Sequence, residues 1–162
     1  GECSDNLTSD LHVTCLWDEP EDAETVLRQG CFFGGSSSKL RTAMHFLSRV
    51  RMMKPDVVLY GHVMLTPLAF AVRCLSPSPR QLLFVHGTEV WGDRAYRRVP
   101  LLEIAAVRSC VDLVVSVSAF TAKRMARTFR LPARRFVILP NAVDLANVPE
   151  RDVPGEPHRS GR

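Results

Sequence analysis

Four short apolar runs recur along the chain, and their spacing limits the fold more than any other feature. They are Asp56–Gly61 (DVVLYG), Gln81–Val85 (QLLFV), Asp112–Ser118 (DLVVSVS) and Arg135–Pro140 (RFVILP). Each reads as a strand buried on both faces, because its apolar residues are continuous and not alternating. The segments between them are long enough for a helix and carry helix signals. In HVMLTPLAFAVRCL, Thr66 is placed to cap and Pro67 to open the first turn. In VPLLEIAAVRSC, Pro100 fits a first turn. AFTAKRMARTFR follows Ser118, a helix-capping residue type.

Upstream, Leu11–Trp17 (LHVTCLW) reads as a strand and GCFFGG as a short strand ending in glycines. SSSKLRTAMHFLSRVRMMK has apolar residues at Leu40, Ala43, Met44, Leu47, Val50 and Met53, which is helical spacing with serines placed to cap. Pro55 ends it. Strands and helices that alternate in this way build right-handed βαβ units. The predicted class is α/β: a Rossmann-like open parallel sheet with helices on both faces. The domain is expected to span residues 1–144. Residues 145–162 are polar and rich in proline, and read as a linker or tail.

The chain has 162 residues, with 46% hydrophobic and 23% charged, which suits one globular domain and argues against general disorder. No apolar run approaches the roughly 20 residues that span a bilayer. The opening GECSDNLTSD lacks the basic and apolar blocks of a signal peptide, so a cytoplasmic protein is expected. The five cysteines form no CxxC pair, so no metal site is expected. They read as reduced, mostly buried thiols.

Net charge is +4, which permits anionic partners without choosing among them. The segment TAKRMARTFRLPARR concentrates Lys123, Arg124, Arg127, Arg130, Arg134 and Arg135 around Phe120, Met125, Phe129 and Leu131. Such a helix suits either a solvated face or the anionic inner face of a membrane. Nucleic acid is not expected as a partner, because these aromatics are few and read as facing the core.

Open α/β sheets bind ligands beyond the carboxyl ends of their strands. His62, the run His86–Glu89, Ser118 and Asn141–Asp144 all stand there. His86 can donate or accept a hydrogen bond and stabilise developing charge. Gly87 permits a sharp turn and close ligand approach. Glu89 can accept from a hydroxyl group, and Trp91 offers an apolar face of the kind sugars stack on. His62 can equally be a structural hydrogen bond beside a helix start. Ser118 is first a helix cap, although a helix start also attracts anions. Gly34-Gly35 matches neither phosphate-loop pattern and reads as a turn.

Four stretches in order, KPDVVLYGH, FVHGTEVW, CVDLVVSVSAFTAKRM and RRFVILPNAVD, resemble the N-terminal domain of family 4 glycosyltransferases of the GT-B fold. The match is good over residues 54–144 and looser over 11–53. The resemblance implies one half of a two-domain enzyme. This half holds a glycan, glycolipid or small acceptor, and the C-terminal half binds most of a nucleotide diphosphate sugar. It further implies retaining, metal-independent hexosyl transfer that needs no cofactor beyond that donor, in a setting such as polysaccharide biosynthesis. By that likeness His86 is the catalytic residue near the transferred sugar. Gly87, Glu89, His62 and Trp91 shape the acceptor site. Ser118, Thr121, Asn141 and Asp144 line the cleft or hinge, and Arg124 reaches an acceptor phosphate. Ala142 stands where the family has a hinge glycine. The family's first strand and helix and its donor domain are expected to be missing, leaving the isolated chain inactive. The alternative reading is a non-catalytic binding module, or a split-enzyme subunit that needs a donor-domain partner.

Overall fold

The computed structural model describes residues 11–19, 30–92 and 98–141. The hinge Ala142–Asp144, the tail 145–162 and Cys3 lie outside the described residues. Strands β1 (His12–Cys15) and β2 (Cys31–Gly34) pair in parallel, with His12 opposite Cys31. Helix α1 (Lys39–Met53) follows, then β3 (Val57–Tyr60), α2 (Leu68–Leu75), β4 (Arg80–Val85), α3 (Leu101–Ser109), β5 (Leu113–Ser116), α4 (Ala119–Phe129) and β6 (Phe136–Ile138). Strands β3 to β6 form one parallel sheet in sequence order. The α/β class and the Rossmann-like parallel sheet are as the sequence predicts.

A sheet that grows in one direction with right-handed crossovers carries its connecting helices on one side. Helices α2, α3 and α4 therefore share a face. Helix α1 joins that layer, where the Phe46 ring meets Tyr60 edge-on at 6.2 Å. Val58, Tyr60, Leu83, Val85 and Val114 point into it and are buried with Ala69, Val72, Val107, Met125 and Phe129. Burying such side chains contributes roughly 1.5–3 kcal/mol each. The alternate positions are more open, and Val57, Leu59 and Val137 are exposed. The individual strands, read from their apolar runs as buried on both faces, thus alternate. The physical reason is strand order: it does not reverse within β3–β6, so the described helices fall on one side.

Two polar links tie the strands to the helices. Tyr60 donates to Gln81 Oε1 at 2.6 Å, and Gln81 Nε2 donates to the Ala69 carbonyl at 3.4 Å. Burial pushes the Tyr60 phenol well above its ordinary range, so it stays a donor. Asp112 accepts from the Gln81 amide at 2.7 Å and pairs with Arg73 at 3.1 Å.

Ser38 caps α1 by accepting from the Arg41 amide, and Lys54 closes it in the left-handed region just before Pro55. The start of α2 differs from expectation. Thr66 does not cap it; its hydroxyl donates to the Val63 carbonyl at 2.7 Å and closes a single 3-10 turn, Val63–Leu65. Pro67 becomes the residue before the helix. Pro100 likewise stands just outside α3. The glycine pair is a packing device: a Cβ on Gly34 would collide with the Asp18 carbonyl, and one on Gly35 with the Thr42 hydroxyl. The cysteines correct the sequence reading. Cys110 is buried and Cys15 half-buried, but Cys31 and Cys74 are exposed.

Candidate functional site

The carboxyl ends of β3 and β4 open onto short 3-10 turns, and that of β5 onto the start of α4. After β3, His62 accepts a hydrogen bond from the Met64 amide at Nδ1, 3.1 Å away, and so caps the 3-10 turn. That bond leaves Nε2 as the nitrogen that carries the proton of the neutral ring. The structural alternative foreseen for His62 is thus present in the molecule.

After β4, the chain passes His86 and Gly87 into a second 3-10 turn, Thr88–Val90. The Glu89 carboxylate accepts from the amides of His86 at 2.6 Å and Gly87 at 2.8 Å. A carboxylate at the start of a helical turn also meets the positive end of the backbone dipoles. Glu89 therefore holds the loop from which His86 projects. The His86 side chain is exposed at the edge, and its ring leans on Phe84 with centroids 4.9 Å apart.

Trp91 completes the turn and joins it to α4. Its Nε1 donates to the Thr121 hydroxyl at 3.3 Å, and its carbonyl accepts from Thr128 at 2.9 Å. Gly87 lies against the indole, where a Cβ would come 3.5 Å from Cζ2. Ser118 caps α4 by accepting from the Thr121 amide, and its hydroxyl donates to the Thr121 hydroxyl at 3.1 Å. The Arg124 guanidinium stands 5.8 Å from the Trp91 ring centre and 5.9 Å from that of Phe120. The two rings meet edge-on at 5.2 Å. These are favourable aromatic and cation–π geometries.

One continuous cluster thus gathers His86, Gly87, Glu89, Trp91, Ser118, Thr121 and Arg124. His62 sits one strand away from this cluster, and Asn141 is exposed beyond β6. Asp144 lies outside the described residues. Phe120 corrects a second expectation, since it faces outward while Phe129 is fully buried.

Three residues of this region have no counterpart in the sequence reading. Gly92 adopts φ +72°, and a Cβ there would meet Thr128 at 2.6 Å. Its position after a tryptophan and before a polar stretch is the one local signal. Thr128 gives none, because its partners are Trp91 and its own helix. Glu103 is buried in the first turn of α3, where a carboxylate matches the helix dipole.

The cluster offers an exposed imidazole, a fixed glycine turn and a cation beside an aromatic face, while Thr121 is buried with its hydroxyl accepting from Ser118 and Trp91. It can bind a hydroxyl-rich ligand and stabilise charge at the strand edge. Among the described residues no group of His, Cys, Asp and Glu could hold a metal ion. The family described as Glycosyltransferase Family 4 matches residues 8–147. No curated protein matches the chain. With a family match over most of its length, the chain belongs to glycosyltransferase family 4.

Proposed function

We propose that this chain is the acceptor-side half of a retaining hexosyltransferase acting on a glycan, glycolipid or small glycoside. The cluster His86–Glu89–Trp91–Thr121 at the carboxyl edge of the sheet carries this reading, since such edges are where open α/β sheets bind ligands. The donor is a nucleotide diphosphate sugar held mainly by a second domain. His86 lies beside the transferred sugar and stabilises its oxocarbenium-like state. Glu89 and Gly87 set the direction in which His86 projects. Trp91, with Thr121 and Ser118, lines the acceptor side, and His62 borders it. Arg124 reaches an acceptor phosphate. Asn141 and Asp144 form the hinge toward the donor half. Residues 1–144 make up the acceptor domain and 145–162 its link. No cofactor other than the donor is needed, and the enzyme works in the cytoplasm.

The test is His86→Ala in an enzyme that joins this chain to a donor domain. Turnover should fall by about 10²–10⁴ with unfolding unchanged, the range set by a positioned acid–base group. Undiminished turnover would remove His86 from the reaction. Failure of every donor domain to restore transfer would favour the binding-module reading.

A further inference from the structure

Glu89 fixes the backbone from which His86 projects, through the amides of His86 and Gly87. The direction of the imidazole is a separate matter, because two side-chain torsions lie between that backbone and the ring. The His86 side chain is exposed. Among the described residues its ring makes one aromatic contact, with Phe84, and no hydrogen bond. Whatever orients this imidazole in the chain itself therefore acts through Phe84.

Phe84 and His86 are two residues apart along β4, which places them on one face of the sheet. It is the face turned away from the helices: Leu83 and Val85 are buried, while Leu82 and Phe84 are only half-buried. The two ring centroids are 4.9 Å apart with the planes at 54°, a close tilted contact. Phe84 is itself placed by the sheet. Its partner on β5 is Val115, whose partner on β6 is Val137. Neighbouring strands lie roughly 4.8 Å apart, so a stiff β-branched side chain stands on one flank of the Phe84 ring. On the other flank the pairing of Tyr60 with Leu83 brings Gly61 level with Phe84. A Cβ on Gly61 would meet no described atom within 4 Å. The ring thus has a wall on one side and open space on the other.

We propose that Phe84 is the positioning residue for the His86 imidazole. Glu89 sets where the loop stands, and Phe84 sets which way the ring faces. Phe84 touches no reacting atom. It restricts the imidazole to orientations that lean on an aromatic face, so fewer arrangements have to be lost when the ring meets the transferred sugar. Misplacing a group at a reacting centre by about 1 Å costs on the order of 10²-fold in rate. Core packing alone explains Phe84 less well, because the buried positions of β4 are its neighbours Leu83 and Val85. An aliphatic side chain would fill the same volume without the flat face. The effect on turnover rests on the transferase reading of His86; the contact between the rings does not.

Proton NMR of the 162-residue chain tests the geometry. The His86 ring signals are identified by their loss in His86→Ala, and they should show cross-relaxation with the Phe84 ring. Phe84→Leu should move them by removing the Phe84 ring current, and Phe84→Tyr should leave them near their original place. Kinetics of the enzyme that joins this chain to a donor domain test the consequence. Phe84→Leu should lower kcat about 10–100-fold while KM changes by less than about threefold. Phe84→Tyr should restore most of kcat, which loss of packing alone does not predict. Circular dichroism checks the fold of each variant. If Phe84→Leu unfolds, Phe84→Met takes its place, and the ring contact in the unaltered chain decides the geometry without any variant. Absence of that contact, an unchanged kcat in a folded aliphatic variant, or a loss confined to KM would overturn the proposal. A fall in kcat for His86→Ala with none for Phe84→Leu sinks this proposal alone. Full turnover in both sinks the reading of His86 on which it rests.

Discussion

The carboxylate of Glu89 accepts hydrogen bonds from the amides of His86 at 2.6 Å and Gly87 at 2.8 Å, and so holds the loop that presents the imidazole. Glu89→Ala leaves both amides to water and should cost about 1–3 kcal/mol, toward the low end because the turn is partly exposed. Urea unfolding measures the loss. Amide exchange locates it, since His86 and Gly87 should exchange faster while the centre of β4 does not. Unchanged exchange at both amides would show that Glu89 does not hold the loop. Glu89→Gln keeps one acceptor oxygen and should fall between the two.

Gly92 depends on its lack of a side chain twice over. Its φ of +72° strains other residues, and a Cβ would meet Thr128 at 2.6 Å. Gly92→Ala should destabilise the chain by about 1–3 kcal/mol, which shows as a lower thermal midpoint. Thr128→Val removes the donor to the Trp91 carbonyl and should cost about 1 kcal/mol. The two changes meet at one contact, so their effects should not add. Full additivity would place the strain elsewhere.

Arg73 and Asp112 form a pair whose two members differ in importance. Both are partly exposed, at 33% and 44% of their side-chain surface, so their mutual attraction is worth only about 0.5 kcal/mol. Asp112 also accepts the Gln81 amide at 2.7 Å. Asp112→Ala should therefore destabilise more than Arg73→Ala does through the pair. A double-mutant cycle under urea should give a small coupling energy. A coupling above about 2 kcal/mol would mean the pair behaves as a buried one.

His45 should make the chain weaker in acid. Its ring stacks on Phe33, with centroids 3.7 Å apart and planes 4° from parallel. Burial first, then the charges of Arg49, Arg41 and His12, lower its pKa below the ordinary 6.5. The folded state thus favours the neutral ring. The associated stability is complete above the unfolded value and is lost as pH falls through the folded one. Chemical unfolding should show a decline from pH 7 toward pH 5. His45→Phe keeps a stacked ring and should flatten that decline. An equally steep decline in this variant would assign it to another group.

Thiol reactivity should separate the cysteines. Burial, aided by a hydrogen bond to Asp18 and its charge, pushes Cys15 up to about 11. Burial also raises Cys110. Only the thiolate reacts, so at pH 8 a maleimide should label the exposed Cys31 and Cys74 well before Cys15 and Cys110. Mass spectrometry of the partly labelled chain reads the order. Early labelling of Cys15 would contradict its environment.

Much of this protein can be read locally. The alternation of apolar runs with helical segments determines the α/β class, because neighbouring residues in one strand or helix create that periodicity. The serines that cap α1 and α4 act on amides three residues away, so Ser38 and Ser118 are legible as well. Placement beyond β4 and β5 singles out His86 and Ser118 as edge residues. Other features depend on contacts between distant parts of the chain. Which side of each strand is covered follows from strand order, so Leu59 and Leu83, alike in composition, end exposed and buried. Trp91 meets Thr121 and Thr128 across separations of 30 and 37 residues, which no local pattern can anticipate. The outward turn of Phe120 and the inward turn of Glu89 were decided in the same way. Packing assigns a side chain to core or surface only after the sheet has chosen its neighbours.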